Sequence, residues 1–351
     1  MTNPFTLTFG IKPSQYIDRF EQSSLITDTF QDEEPSNHTY IITGVRGTGK
    51  TVLLSQATEL FKNNKNWYVV EVNPSRDILH SVVAKLYDMK GLRSLFRMDG
   101  IDLSLFGFGI SVANGNPISD IEIALERMVS VIKKQNKRVL ITIDEVTNNE
   151  YMKVFAGTYQ ILLRNRLPVF LLMTGLFQNI AELQNEKSLT FLYRAPKIQL
   201  SPLDLSSIMR SYQTLFNLDK EESVKMAQLT RGYSFAYQVL GYLRWEHPDV
   251  PLDELLFQYD RYLADFVYEK MYSELSVKDK EVLNAMSSFG TNAMRNIEIR
   301  SALNMKPQLF SIYRDRLLKR GLIYSPQYGY LAFVLPRFAE FIQEKFIFDN
   351  L

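Results

Sequence analysis

Short apolar runs alternate with amphipathic stretches from about residue 40 to residue 200. The apolar runs predict five strands, at 40–44, 67–73, 138–144, 168–174 and 197–200. Between them the helical period predicts helices at 50–61, 78–87 and 118–134, the last with Ile121, Ala124, Met128 and Val131 in one stripe. Strands separated by helices predict an α/β fold, a five-stranded parallel sheet with helices on both faces. The segment 103–112 fits neither pattern and is interpreted as an extra hairpin or an irregular insertion.

Past Pro202 the pattern becomes wholly helical. Helices are predicted at 205–216, 221–229, 235–245 and 252–275, and this part is interpreted as an all-α lid with a connector. A different pattern follows, with helices at 278–287, 297–303 and 308–320 and paired strands at 322–324 and 330–334. Three helices and a hairpin predict a C-terminal winged helix-turn-helix. The expected domains are therefore 1–201, 202–273 and 274–351.

The third helix of this last part has a predicted core face and a predicted surface face. The residues expected in the core are Leu309, Ile312, Tyr313, Leu317 and Leu318. The third helix of a winged helix is the one offered to a DNA major groove. The residues predicted to contact duplex DNA are Gln308, Ser311, Arg314, Lys319 and Arg320, with Tyr328 at the hairpin tip.

Charge is distributed unevenly along the chain. The whole chain has a net charge of +1, whereas residues 295–337 have eight basic and two acidic residues, a net +6. This asymmetry locates any site for a polyanion near the C-terminus.

Composition is that of an ordinary globular protein, with 351 residues, 46% hydrophobic and 23% charged. No run of about 18 apolar residues is present, so no membrane partner is expected. The first residues lack a basic segment followed by an apolar one, which argues against a signal peptide. There are no cysteines, which excludes disulfides, and the histidines at 38, 80 and 247 have no metal-ligand spacing. A cytoplasmic setting is expected.

A phosphate-binding motif, G-x-x-x-x-G-K-T, follows the first predicted strand. Its residues are Gly44, Val45, Arg46, Gly47, Thr48, Gly49, Lys50 and Thr51, and Val52 continues into the predicted helix. The glycines let backbone N–H groups face phosphate oxygens at the positive end of the helix. Lys50 is predicted to reach the β- and γ-phosphates of ATP, and Thr51 to bind Mg²⁺. The alternative is a glycine-rich turn before a helix, which the strand–loop–helix context disfavours.

A second candidate motif is the apolar run 138–143, which ends in Asp144 and Glu145. The run is typical of a central parallel strand. Asp144 is predicted to hold Mg²⁺ and Glu145 to act as general base toward water. The alternative is a strand whose acidic end faces solvent.

Together these blocks resemble AAA+ ATPases of the origin-recognition and archaeal-ATPase branch, near the signal-transduction NTPases, over nearly the whole chain. Within that branch the chain looks like a group of bacterial ATP-binding proteins that end in a winged helix. The segment from Phe9 to Arg19 resembles the N-terminal box that lies against adenine, which implies contacts from Tyr16, Ile17 and Arg19; Asp18 stands where the family has glycine.

The resemblance also implies three further catalytic positions. Asn73 matches a switch that restrains the catalytic glutamate, Thr174 matches sensor 1, and Arg194 matches an arginine finger supplied to a neighbouring subunit. Each has an alternative: a turn pair with Pro74, a strand-end residue bonded to a turn, and a surface ion-pair residue.

The lid departs from the commonest AAA+ pattern. Residues 230–238 contain no arginine within the first turn of the third lid helix, where many relatives have sensor 2. The segment looks like the G-x-P version, with Ser234 in place of proline, and Arg231 lies in the preceding loop.

Three functions follow from these motifs. The leading one is an ATP switch, with ATP and ADP as ligands, that assembles into homo-oligomers and couples nucleotide state to duplex DNA. The second is a signalling ATPase whose winged helix binds protein or inhibits the molecule itself. The third is a nucleotide-binding protein with scarcely any turnover, against which Lys50, Asp144 and Glu145 count.

Overall fold

The structure, a computed structural model, describes residues 2–106, 120–186, 189–290 and 293–349. The chain divides into two compact units. The first, the sheet unit, comprises Arg19–Thr43 and Lys50–Gln199; the second, the helical unit, comprises Met1–Asp18, Gly44–Gly49 and Leu200–Leu351. The three-domain division with boundaries at 201 and 273 stays a prediction.

The sheet unit is built on a five-stranded sheet with order β2-β3-β4-β1-β5 and every pair parallel. Its strands are β1 Thr39–Thr43, β2 Trp67–Val72, β3 Arg138–Ile143, β4 Val169–Gly175 and β5 Lys197–Gln199. Strands β1 and β4 are buried along their whole length, as expected when helices cover both faces of a parallel sheet. The predicted five-stranded parallel fold is confirmed.

Eight α-helices of the sheet unit lie within the described residues. They are α1 Phe20–Gln31, α2 Lys50–Lys62, α3 Ile78–Asp88, α4 Leu92–Met98, α5 Ile121–Lys134, α6 Glu150–Arg164, α7 Phe177–Asn185 and α8 Thr190–Tyr193. Helix α1 is absent from the sequence prediction because most of its side chains are polar and it buries only Ser23, Ile26 and Phe30. Of the segment 103–112, the structure describes one 3-10 turn, Ser104–Phe106, and the remainder lies outside the described residues.

Strand register brings the carboxyl ends of two central strands together. Ile143 of β3 lies opposite Met173 of β4, so the residues that follow, Asp144 and Thr174, are neighbours. In open parallel sheets the carboxyl ends of the strands are where ligands bind. The topology therefore places the acidic end of β3 at such an edge.

The helical unit begins with five helices and one π turn. They are α9 Leu205–Phe216, α10 Lys220–Thr230, α11 Ser234–Glu246, α12 Leu252–Leu263, a π turn at Ala264–Tyr268 and α13 Glu269–Ser273. The π turn interrupts the single helix that was predicted over 252–275. Its wider winding buries both Val267 and Tyr268, and the Tyr268 hydroxyl donates to the carbonyl oxygen of Pro336 at 2.6 Å.

The N-terminal segment packs on these helices rather than running free. Phe5 is 3% exposed, and its ring lies 5.4 Å from the ring of Tyr237 and 5.9 Å from that of Phe216. The side-chain oxygen of Gln238 accepts from Thr6 N, and its amide nitrogen donates to the carbonyl oxygen of Gln15. Aromatic packing and a polar clamp thus fix residues 2–18 within the helical unit.

The C-terminal part of the helical unit has four helices and a three-stranded antiparallel sheet of order β6-β8-β7. The elements are α14 Val277–Ser287, β6 Met294–Arg295, α15 Asn296–Ala302, α16 Pro307–Lys319, β7 Ile323–Tyr324, β8 Tyr330–Phe333 and α17 Phe338–Asp349. The predicted helices and hairpin are present. Helix α17 was not predicted; it packs on α14, and Gln343 donates to the carbonyl oxygen of Ser287 at 2.6 Å.

The predicted core face of α16 is wrong at two positions. Leu309 is 42% exposed and Ile312 is 59% exposed, whereas Phe310 and Leu317 are buried. The buried ridge runs from Phe310 to Leu317, two turns apart, because Arg316 is drawn toward α14 by a buried carboxylate, Asp279. None of the helices in the described ranges is both long and apolar enough to cross a membrane.

Candidate nucleotide site

Thr174 is the centre of a hydrogen-bonded group at the carboxyl ends of β3 and β4. Its side chain is fully buried, and its hydroxyl donates to Oδ1 of Asp144 while accepting from the backbone N–H of Glu145 at 3.0 Å. Val146 N also donates to the carbonyl oxygen of Thr174 at 2.9 Å. The end of β4 therefore fixes the turn that carries both acidic side chains.

The second carboxylate oxygen of Asp144 faces the start of α2. Thr51 Oγ1 donates to Asp144 Oδ2 at 2.9 Å. Lys50, the preceding residue and the first of α2, is buried. A hydroxyl and a carboxylate side by side are the oxygen ligands that Mg²⁺ takes beside substrate phosphates. Thr51 and Asp144 thus suit the metal role predicted for them.

Glu145 has an unusual backbone conformation. Its φ angle is 53°, in the left-handed region that residues other than glycine seldom adopt, and its side chain is exposed. Such a conformation costs of order 1 kcal/mol or more and persists where neighbouring contacts impose it. Here the hydrogen bonds to Thr174 and Asp144 impose it, and they separate the two carboxylates, one held inward and one free to reach solvent.

The loop Gly44–Gly49 belongs to the helical unit and has the turns its glycines permit. Gly47 and Gly49 have φ angles of +78° and +90°. Thr48 Oγ1 donates to the carbonyl oxygen of Val45 at 2.9 Å, and a Cβ on Gly44 would lie 2.6 Å from that hydroxyl. The loop is therefore a tight turn that side chains at these glycines would disrupt.

The start of α11 contacts this loop through three consecutive residues. Tyr233 Oη donates to the carbonyl oxygen of Arg46 at 2.6 Å, Ser234 Oγ to that of Thr48 at 2.9 Å, and Phe235 N to that of Gly47 at 3.0 Å. Sequence reasoning missed these contacts. The available signal was the match of residues 232–234 to the G-x-P position, in which a serine can donate a hydrogen bond that a proline cannot.

Residues of the predicted adenine box lie in both units. Tyr16 and Ile17 are half-buried in the helical unit, and the Lys12 ammonium lies 5.2 Å from the centre of the Tyr16 ring. Arg19 belongs to the sheet unit at the start of α1, and burial lowers its pKa to about 10. Their adenine contacts stay predictions.

Two predicted catalytic residues lie outside the Thr174 group as far as the described residues show. Asn73 lies in the turn after β2, where its side-chain oxygen accepts from Ser75 N at 2.8 Å. This is the geometry of the alternative assignment, a turn residue. Arg194 follows α8 and is exposed. Neither catalytic role is tested by these positions.

The predicted DNA-contacting residues differ in how far they are committed to partners within the chain. Gln308, Lys319 and Tyr328 are exposed. The other three have intramolecular bonds: Ser311 Oγ to Gln308 O at 2.8 Å, Arg314 to Asp315 at 2.7 Å, and Arg320 Nη1 to Glu274 O at 3.0 Å.

Comparisons with known families agree with this geometry. Residues 26–193 match the model of an ATPase domain predominantly from Archaea. The chain carries an ATPase domain of this family, in the AAA+ branch. Residues 265–342, behind the ATPase domain, match a domain of unknown function, DUF8462. No curated protein matches the chain.

Two solved structures share the fold over nearly the full length. The Walker-type ATPase PABY2304 of Pyrococcus abyssi is 13% identical with a TM-score of 0.65, covering 94% of this chain and 96% of that one. The ORC2 protein of Aeropyrum pernix, in ADPNP–ADP complexes, is 14% identical with a TM-score of 0.62, covering 98% and 96%. At such identities the likeness establishes the fold, which extends beyond the ATPase domain into the C-terminal helices.

Proposed function

We propose that this protein binds and hydrolyses Mg²⁺–ATP. The observation that carries the proposal is the Asp144 carboxylate, which accepts hydrogen bonds from both Thr51 and Thr174. A loop threonine and a strand-end aspartate held together are the pair that retains Mg²⁺ in P-loop ATPases. That the ORC2 relative was solved with ADPNP and ADP supports adenine nucleotides as ligands.

Each residue then has a separate task. Lys50, which directly follows Gly49 of the loop, balances the charge of the β- and γ-phosphates. Bound Mg²⁺–ATP supplies an activated γ-phosphoryl group. Glu145 takes a proton from water, and Thr174 fixes the Glu145 backbone so that this carboxylate points away from the Asp144 carboxylate.

Titration calorimetry with ATP and Mg²⁺ tests this proposal directly. Wild-type protein should bind, and Lys50→Ala should lose binding because the buried lysine is the cation nearest in sequence to the loop. Binding by Lys50→Ala within about threefold of wild type, under ~1 kcal/mol, would refute the assignment.

For the C-terminal part we propose a winged helix that binds duplex DNA and responds to the nucleotide. The order of α14, β6, α15, α16 and the β7–β8 hairpin supports the winged helix, and the +6 charge of residues 295–337 supports a polyanion. Tyr328 at the hairpin tip is fully exposed, as a side chain that reaches a groove would be.

One observation favours the alternative, a winged helix that contacts protein. Arg316 and Arg337 are bonded to Asp279 and Asp260, which removes charge from the surface. Leu309 and Ile312 expose apolar area on the helix proposed for the groove. DNA binding measured by fluorescence anisotropy at low salt distinguishes the two, because a protein-docking module would leave labelled duplex unbound with ATP and without it.

A further inference from the structure

The contact between α11 and the phosphate-binding loop lies within the helical unit and is more than a cap on a helix end. Three consecutive residues, Tyr233 to Phe235, donate to three consecutive carbonyl oxygens, those of residues 46–48. Backbone carbonyl oxygens seldom attract two side-chain hydroxyls and an amide in one place by chance. The three bonds fix the orientation of three successive peptide planes.

That orientation has a consequence for the opposite face of the loop. In a planar trans peptide the C=O and the following N–H point in opposite directions. Because the carbonyl groups of residues 46, 47 and 48 point toward α11, the N–H groups of Gly47, Thr48 and Gly49 point away from it. Successive N–H groups on one side of a turn form the concave surface that binds phosphate.

We propose that Tyr233, Ser234 and the Phe235 N–H act as positioning groups, which hold the phosphate-binding loop in its anion-binding shape before nucleotide arrives. The inference rests on the proposed ATP binding and assigns to the lid a contribution made through loop geometry. A preformed loop spares the ordering cost that a mobile loop would incur on binding.

Two features show that the loop and the lid are fitted to each other. A Cβ on Gly47 would lie 2.2 Å from Tyr233 Oη, so this glycine is required for the approach of the tyrosine as well as for its φ of +78°. Tyr233 is buried, and burial raises its pKa well above the usual value, so the hydroxyl remains a donor across the physiological range.

The test uses the full-length chain and the variant Tyr233→Phe/Ser234→Ala, which removes two donors and keeps the ring. Tyr259→Phe is the matched control, because it removes a buried tyrosine hydroxyl that bonds to the carbonyl oxygen of Leu229, away from the loop. Hydrogen exchange of the loop amides is measured without nucleotide, and ATP–Mg²⁺ affinity by calorimetry.

We expect loop amides in the double variant to exchange at least about tenfold faster and ATP affinity to fall about tenfold or more, as the loss of two hydrogen bonds implies, with Tyr259→Phe close to wild type. Exchange equal to that of Tyr259→Phe would overturn the inference, and so would tighter ATP binding, which would make the contact inhibitory. If the double variant fails to fold, Ser234→Ala, at a half-exposed position, gives the same comparison with about a threefold change. Failure of wild type to bind ATP would instead refute the proposed function, while exchange still tests the loop.

Discussion

Arg316 of α16 donates from its guanidinium to Oδ1 of Asp279, a fully buried carboxylate in the first turn of α14, at 2.8 Å. The same arginine donates to Ser276 Oγ, and Ser276 and Asp279 form the capping box that begins α14. One ion pair therefore joins the first and third helices of the C-terminal part and orients the face of α16. It also explains why Leu309 and Ile312 lie outward.

Arg316→Ala should destabilise the protein by about 3 kcal/mol, because it leaves the buried Asp279 charge unpaired. Arg314→Ala is the matched control on the same helix. Its partner, Asp315, is half exposed, so the loss should stay below ~1 kcal/mol. Urea denaturation of both variants gives the comparison. Equal losses would show that the Arg316–Asp279 pair contributes no more than a surface pair.

Glu145→Gln should bind ATP as wild type does yet hydrolyse it at least ~100-fold more slowly, the usual cost of losing a general base. Asp144→Asn should instead raise the Mg²⁺ concentration needed, since its carboxylate is the one bonded to Thr51. Single-turnover assays across a Mg²⁺ series separate the two effects. Unchanged turnover by Glu145→Gln would remove Glu145 from the mechanism.

Arg194→Ala should leave nucleotide affinity intact and slow hydrolysis by about 10³ if the exposed arginine reaches a neighbouring subunit. Mixing Arg194→Ala with Lys50→Ala should then restore activity, because one subunit supplies the arginine and the other the loop. Light scattering reports assembly in the same samples. A mixture that stays inactive while the protein stays monomeric would leave Arg194 as an ordinary surface residue.

The pH dependence of stability should include a contribution from His38. Its ring stacks on Phe170 at 4.7 Å, and burial, with a smaller effect of Arg138, lowers its pKa in the folded state. The folded state then binds fewer protons than the unfolded one, so stability falls as the pH drops through the unfolded pKa near 6.5. His38→Phe keeps the ring stack. It should match wild type at pH 7.5 and melt higher than wild type at pH 5.5. Parallel decline of both proteins would contradict this.

Sequence periodicity predicted the sheet because its strands are buried on both faces and read as continuous apolar runs. It could not place the core face of α16, since that face depends on the Arg316–Asp279 pair, which joins residues far apart in the chain. The chemistry of Thr51 and Asp144 was readable from motifs, and the structure brings those two together. The bonds from Tyr233 and Ser234 to the loop were not readable, because no local pattern tells which carbonyl a distant hydroxyl will find.

DNA binding, if it occurs, should depend mainly on phosphate contacts, because the proposed surface combines exposed Lys319 with Arg314 on one helix. A surface that contacts about four to six phosphates gives a log–log salt slope of about −4 to −5. Arg314 must exchange Asp315 for a phosphate, an inexpensive step for an exposed ion pair. Removing Arg314 and Lys319 together should therefore reduce the slope by about 2.

Lys270→Ala removes one exposed charge from α13, outside the proposed surface, and should leave that slope unchanged. Fluorescence anisotropy over a salt series measures all three proteins on one labelled duplex. A slope reduced equally by Lys270→Ala would mean that DNA responds only to net charge. No binding by wild type at low salt, with ATP and without it, would favour a protein partner for the face that exposes Leu309 and Ile312.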